Sequence, residues 1–308
     1  MKESIIITGA TSSIGVALID LLQKKGLDVT AVIKPNSVRG ITLRRLYPKL
    51  EILECPLADL DRVALPGKKY EALFHIGWNS EFLNARYNLE GQMQNANDCL
   101  KAVEMAHRYQ CEAFLSIGSQ AECGRVHSPI DSGTPDHPET AYARAKCIAY
   151  EKTADLCRRY GMRQYWPRLL SAYGPYDKKT TLVMSCIHAC RERKQLSLTS
   201  AEQVWDYIYV KDVAEALFSI WKYGIPEKRY AVASGKGREL KEYIAEIAKE
   251  TNYWQILEGI GKKEYADRQV MYLVGNIGEL TEDTGFIPGW DFAGGIREIV
   301  KILEDETR

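Results

Sequence analysis

Neither sign of charge is in surplus: 41 Lys and Arg stand against 41 Asp and Glu. Such a chain has no global positive field to draw in nucleic acid or an anionic membrane, so any anionic ligand must be held by local groups. No apolar run approaches the roughly 20 residues of a membrane helix. Met1-Lys2-Glu3-Ser4 leads straight into a strand-like run with no signal-peptide hydrophobic stretch, and the expectation is a soluble, cytoplasmic protein. None of the eight cysteines stands in a CxxC pair, which favours free thiols over disulfides. Cys186 and Cys190 are four apart in a helical pattern, but no further ligand pair joins them, and the five histidines have no metal spacing. No metal is expected. Repeats, low-complexity tracts and linkers are absent, which leaves 308 residues for one large domain or two intimately joined ones.

What is present is alternation. The runs "SIIIT", "VTAVI", "EILEC", "EALFHI", "EAFLSI" and "RQYWPRLL" read as strands, and helical patterns lie between several of them, at Leu89–Tyr109 and Ala141–Tyr160 among others. That order predicts an α/β fold with a parallel sheet covered on both faces. After Pro175 the reading continues with a helix from about Thr181 to Arg193, then strands "QLSLT", "WDYIYV" and "KRYAVASG". In "KDVAEALFSIWKYG", Asp212 and Glu215 have capping-box spacing. "RELKEYIAEIAKET" is amphipathic at 240, 244, 247 and 248, and "DFAGGIREIVKILED" closes the chain as a helix.

The loop "TGATSSIG" lacks one glycine of a Gly-x-x-Gly-x-x-Gly series, having Ser12 in its place. Gly9 still permits a sharp turn after the first strand, and Gly15 lets the next helix pack closely. The helix start then offers free N–H groups to a pyrophosphate. An ordinary strand–turn–helix connection would read the same way. The second strand ends in Ile33-Lys34-Pro35-Asn36 with Arg39 nearby, and no carboxylate stands there to take a ribose 2′-hydroxyl. Lys34 and Arg39 suit a 2′-phosphate, hence NADP over NAD; the plain alternative is a solvated basic loop.

Tyr-x-x-x-Lys occurs twice, as Tyr142/Lys146 and Tyr207/Lys211, and with 18 tyrosines the spacing alone decides nothing. On a helix, residues four apart are about 5–6 Å apart on one face. On a strand they are about 13 Å apart. The Ala-rich surroundings of Tyr142 are helical and those of Tyr207 alternate, so the first pair alone is expected to cooperate. A carbonyl that accepts hydride must also accept a proton. A cationic lysine would lower a phenol's pKa from near 10 and fit it for acid–base work. A hydroxyl donor should sit at the end of a strand in the same crevice, and Ser119, ahead of Ser116, is the better placed.

In these residues the chain resembles the extended short-chain dehydrogenase/reductase superfamily, in its nucleotide-sugar epimerase/dehydratase branch. "TGATSSIG", "HIGWNS", "NLEG", "SQAECG", "YARAK", "PRLLSAYGP", "WDYIYVKDVAEAL" and "TGFIPGWDFAGGIRE" are similar to motifs of that branch and come in its order. The resemblance implies a Rossmann-type doubly wound sheet with a smaller C-terminal α/β substrate-binding part. Residues 1–170 would form the dinucleotide-binding domain, with 204–223 returning to it. Residues 171–203 and 224–308 would hold substrate. It implies Tyr142 as general acid/base, with Lys146 binding the nicotinamide ribose and tuning it. Ser119 would bond the sugar oxygen. Gly9, Thr11, Ser12, Ser13, Ile14 and Gly15 would cradle phosphates, Ser12 and Ser13 through hydroxyls as well, and His75 and Gly77 would line the cofactor. Trp78, Gln120, Ser171 and Trp205 would meet substrate, in a pocket also walled by residues 80–85, 119–123 and 171–185. Homodimers in the family form through two helices, here Leu89–Tyr109 and Ala141–Tyr160.

The chain also departs from the pattern. Dehydratases of the family carry an acidic pair, or a Glu, after the catalytic hydroxyl; here Gln120 and Ala121 stand there and Glu122 comes one position late. Cys123 replaces the loop aromatic, Pro56 an Asp that often contacts adenine, and Trp205 an Arg that grips the diphosphate. The expectation is therefore an NADP-dependent reductase of a 4-keto (6-deoxy)hexose nucleotide. The alternatives are a nucleotide-sugar 4-epimerase holding NAD and a non-catalytic NADP-binding sensor.

Overall fold

The computed structural model describes residues 3–80 and 85–306. Segment 81–84, part of the expected pocket wall, lies outside the described residues. The strands of the main sheet are β1 (Ser4–Thr8), β2 (Asp28–Ile33), β3 (Glu51–Glu54), β4 (Ala72–His75), β5 (Ala113–Ser116) and, past the two-residue β6 (Gly118–Ser119), β7 (Arg163–Tyr165). They lie in the order β3-β2-β1-β4-β5-β7, every pair parallel. β1 and β4 are buried along their whole length, as strands covered on both faces must be. The chain runs from β1 outward through β2 to β3, then returns to the other side of β1 for β4. The crevice beyond the carboxyl ends of β1 and β4 is thus the switch point at which open α/β sheets bind ligands.

Helices α1 (Ser13–Lys24), α2 (Val38–Leu46), α3 (Leu89–Arg108) and α4 (Ala141–Tyr160) connect these strands, with α3 and α4 packed against each other. Small buried residues on α4, Ala145 and Ala149, allow that approach. The remaining strands are β8 (Arg168–Leu169), β9 (Ser171–Tyr173), β10 (Val204–Trp205), β11 (Tyr207–Tyr209), β12 (Ala231–Val232), β13 (Arg238–Glu239) and β14 (Tyr272–Leu273). They build small sheets β12-β8-β6, β11-β9 and β13-β10-β14. Helices α5 (Leu182–Arg191), α6 (Val210–Tyr223), α7 (Leu240–Glu250), α8 (Gly278–Thr284) and α9 (Phe292–Asp305) complete the described chain. One hydrophobic cluster runs from Ile5 in β1 through Leu217 in α6 to Ile299 in α9, and α6 lies on α1. Among the described residues no helix is long and apolar enough to cross a membrane.

The second half departs from the sequence expectations in four places. "QLSLT" is no strand. Its main chain is held by single bonds to an irregular loop, Leu198 N–H to Gly259 O at 2.8 Å and Lys263 N–H to Leu198 O at 3.0 Å. "WDYIYV" is split between two sheets at Asp206. That buried carboxylate accepts from Ser234 Oγ at 2.6 Å and from the N–H groups of Ser234, Gly235 and Gly275 at 2.9, 3.0 and 3.2 Å. "KRYAVASG" keeps two strand residues, Ala231 and Val232. Asp212 is no N-cap, because α6 starts at Val210; its carboxylate instead accepts from Gly289 N–H at 2.9 Å and Trp290 N–H at 3.0 Å.

Candidate active site

Gly9 leaves β1 with φ of 69°, and a Cβ there would lie 2.5 Å from the Gly77 nitrogen after β4. A Cβ on Gly15 would lie 2.6 Å from Gly9 O. Two loops and a helix start are therefore drawn together without side chains between them. Ser12 N-caps α1: its Oγ accepts from Gly15 N–H at 3.0 Å and donates to Gly9 O at 2.9 Å. Ser13 Oγ donates to Pro175 O at 2.5 Å. Both hydroxyls thus bond within the protein, and Ser12 satisfies one of the free donors of the helix start. What remains for an anion are the N–H groups of Ser13 and Ile14, which have no partner among the described residues. Thr11 stands partly exposed beside them. This bare, donor-rich cradle fits a dinucleotide pyrophosphate.

Lys34 and Arg39 are exposed at the carboxyl end of β2 and in the first turn of α2. The neighbouring Glu54 accepts Asn36 N–H at 3.3 Å and pairs with Arg44 at 3.0 Å. Asp177 faces Arg39; burial raises its carboxyl pKa, and Lys178 N–H, Thr181 and Arg39 oppose that.

His75 ends β4. Its ring is 1% exposed, bonded through Nδ1 to Thr8 Oγ1 at 2.7 Å and stacked on Phe114. Burial, with the nearby Lys146 charge, drives its pKa down to about 3, so the ring is neutral. Its Nε2 has no hydrogen-bond partner among the described residues.

Thr140 caps α4 by accepting Ala143 N–H at 3.1 Å, which places Tyr142 and Lys146 on one face in the first two turns. Lys146 is 5% exposed; Nζ donates to Ile117 O at 2.7 Å and lies 3.6 Å from the Trp78 ring centre and 5.9 Å from that of Tyr142. Burial lowers its pKa to about 8, with Cys99 and Glu122 opposing. The Tyr142 phenol is shifted the opposite way from expectation. Burial raises its pKa, contact with Ser119 opposes this, Glu122 adds to it and Arg86 opposes it. A lysine four residues on does not outweigh desolvation here, because the ammonium rests on an indole face and a carbonyl. The other pair, Tyr207/Lys211, straddles β11 and α6; Lys211 is spent on Glu298 at 2.5 Å and Tyr207 packs on Tyr173 and Tyr243.

Ser119 ends β6 and caps the 3-10 turn Gln120–Cys123, accepting Ala121 N–H at 3.2 Å. Gln120 opens that turn, partly exposed. Behind it lies a cluster the sequence reading missed. Glu122, 0% exposed, accepts Ser119 N–H at 2.8 Å, Trp166 Nε1–H at 3.1 Å and Arg168 Nε–H at 3.4 Å. Arg168, also fully buried, continues to Asp136 at 2.5 Å, and Asp136 to Arg229 at 2.8 Å. The Ser-x-x-Glu spacing of a capping box was the available signal. Ser171 and Trp205 form a second cluster, Trp205 Nε1–H donating to Ser171 Oγ at 2.6 Å. Among the described residues, no hydrogen bond or ring contact of Ser119, Tyr142 or Lys146 reaches it.

The profile of the NAD dependent epimerase/dehydratase family matches residues 5–233. The chain belongs to that family. It is therefore a nicotinamide-dependent oxidoreductase of the epimerase/dehydratase kind. A curated relative, the CDP-abequose synthase of Salmonella typhimurium (strain LT2), is 27% identical over 98% of this chain and 99% of its own. The dTDP-glucose 4,6-dehydratase of Neisseria gonorrhoeae is 22% identical over 100% and 97%. Among solved structures, a UDP-glucose 4-epimerase from Thermotoga maritima superimposes with a TM-score of 0.86 at 18% identity, covering 99% of this chain and 100% of that one. The shared fold is the Rossmann-type one expected.

Proposed function

We propose that this family member reduces a 4-keto-6-deoxyhexose nucleotide to the 4-hydroxy sugar with NADPH. The observation that carries the reading is the meeting of Ser119, Tyr142 and Lys146 beside a bare, donor-rich glycine cradle, with no free acid in the loop. Gln120 and Ala121 cannot assist loss of water, and Glu122 is sealed against Arg168. That argues against a dehydratase.

The cradle around Gly9, Gly15 and Gly77 would hold the pyrophosphate, Lys34 and Arg39 the 2′-phosphate, and Lys146 the nicotinamide ribose. Bound there, the dihydronicotinamide supplies hydride to the sugar C4. Tyr142, its phenol kept protonated by burial, donates a proton to the developing alkoxide. Ser119 donates its hydroxyl hydrogen to the same oxygen and holds it against the phenol. Lys146 places positive charge beneath both. Trp205 and Ser171 would meet the nucleotide part. The CDP-linked product in the name of the Salmonella relative makes a CDP-4-keto-6-deoxyhexose the first substrate to try. Two copies would pair through α3 and α4.

A panel of 4-keto and 4-hydroxy sugar nucleotides mixed with NADPH or NADH tests the reading. Stoichiometric NADPH loss with a keto sugar supports it. Interconversion of 4-hydroxy sugars with no net cofactor change would replace it by a 4-epimerase, and tight cofactor binding without turnover by a sensor. Lys34→Ala is expected to weaken NADPH binding roughly tenfold, as loss of a charged hydrogen bond does, and to weaken NADH far less. Equal weakening in titrations of the two would remove the 2′-phosphate assignment.

A further inference from the structure

Two amides lie on the buried side of α3, among residues that, Asp98 apart, are apolar. Gln92 and Asn95 are each 1% exposed. Buried amides are costly unless paired, and both are paired to the same segment. Gln92 Oε1 accepts Trp78 Nε1–H at 2.8 Å, and its Nε2–H donates to Ala85 O at 2.7 Å. Asn95 Oδ1 accepts Asn79 N–H at 2.7 Å, and its Nδ2–H donates to Asn79 O at 2.8 Å. One turn of helix thus holds Trp78, Asn79 and Ala85 together. Beyond Ala85, Arg86 O accepts Tyr142 N–H at 3.0 Å.

The gripped indole faces the catalytic pair. Its ring meets Tyr142 edge to face, centres 5.8 Å apart at 86°, and carries the Lys146 ammonium over its face at 3.6 Å. A lysine stem has four rotatable bonds and a compact charge that a fixed ring can localise. Resting on the reading of Lys146 as the site's lysine, we propose that Gln92 and Trp78 are positioning residues: α3 fixes the indole through Gln92, and the indole face holds the Lys146 ammonium beside Tyr142. Trp78 thereby serves the lysine rather than the sugar.

The test reads Lys146 directly. The intact protein is acylated with a water-soluble amine reagent along a neutral-to-alkaline pH series, and labelling at Lys146 is followed by peptide mass spectrometry. The unmodified protein should give a midpoint near about 8. Trp78→Leu removes the face that favours the ammonium while the site stays dry, so the midpoint should fall by about one pH unit. Gln92→Leu and Trp78→Phe leave a ring that nothing pins, and each should lower it by less. Combining them should add nothing, because both break one link. An unmoved or raised midpoint in Trp78→Leu, or additive shifts in the double variant, overturns the proposal. If Trp78→Leu does not fold, the other two variants and their combination decide the matter. Turnover of a keto sugar is measured alongside, and its alkaline limb should move with the labelling midpoint. Shifted labelling in a protein that reduces no keto sugar would sink the functional reading and leave this one standing.

Discussion

Tyr142→Phe is expected to cut turnover of a 4-keto sugar nucleotide by about 10²–10⁴-fold, the usual contribution of a positioned acid or base, with cofactor binding nearly unchanged. The substitution removes one hydroxyl and keeps the ring that packs on Trp78 and lies under Arg86, whose guanidinium is 5.5 Å from the ring centre. Cofactor titration and steady-state rates on the same preparation separate the two effects. A Phe variant with full activity would take the phenol out of the chemistry. The pH dependence has a definite sign. Burial raises the phenol's pKa, so the proton to be donated stays in place through neutral pH. Lys146 is the group that changes, since burial lowers its pKa from 10.5 to about 8. Its positive charge is present below that value and lost above it. Reduction should therefore hold its rate on the acid side and decline as pH rises through about 8.

The contrast between the two titrating groups marks what could be read from sequence. Spacing and an Ala-rich setting were enough to choose Tyr142/Lys146 over Tyr207/Lys211, because four residues mean one face on a helix and a long reach elsewhere. They say which groups are neighbours, not how much water surrounds them, and desolvation decided the phenol's direction. The fold follows the same division. Strands such as "SIIIT", buried on both faces, announce a covered parallel sheet. In the second half, two- and three-residue strands are placed by side-chain pins such as Asp206, which periodicity does not record. "WDYIYV" alternates well, yet its two halves pair in different sheets. Ser12 and Ser13 were visible as hydroxyls in the right loop; their partners, Gly9 O and Pro175 O, were not. Gln92 and Asn95 could have been noticed as polar residues on an apolar helical stripe, a pattern that asks for a partner.

Glu122 carries the largest stability prediction, because it is the hub of a buried network and because its removal strands several groups at once. The cluster balances two carboxylates, Glu122 and Asp136, against two guanidinium groups, Arg168 and Arg229. Burial raises the Glu122 carboxyl pKa, while Trp166, the Ser119 N–H and Arg168 all favour its charged form. Glu122→Leu leaves Arg168 fully buried with one carboxylate partner instead of two. It also orphans the Ser119 N–H and the Trp166 indole. Breaking a buried pair by removing one partner costs about 3–5 kcal/mol, a large part of the roughly 5–15 kcal/mol that holds a domain folded. In a chain of this size the melting temperature should drop by roughly 5–8 °C. Glu122→Gln is the informative control. Its amide oxygen can still accept from Ser119 N–H and Trp166, so the loss of charge alone should cost less than Leu does. Activity should follow the loop: Glu122→Leu frees the turn that Ser119 caps and should lower turnover, while Glu122→Gln keeps the turn. Thermal denaturation of the two variants beside the parent protein decides it. A Leu variant that melts with the parent would mean that the network contributes nothing net. Ser119 would then have to be held by β6 and its pairing with β8 alone.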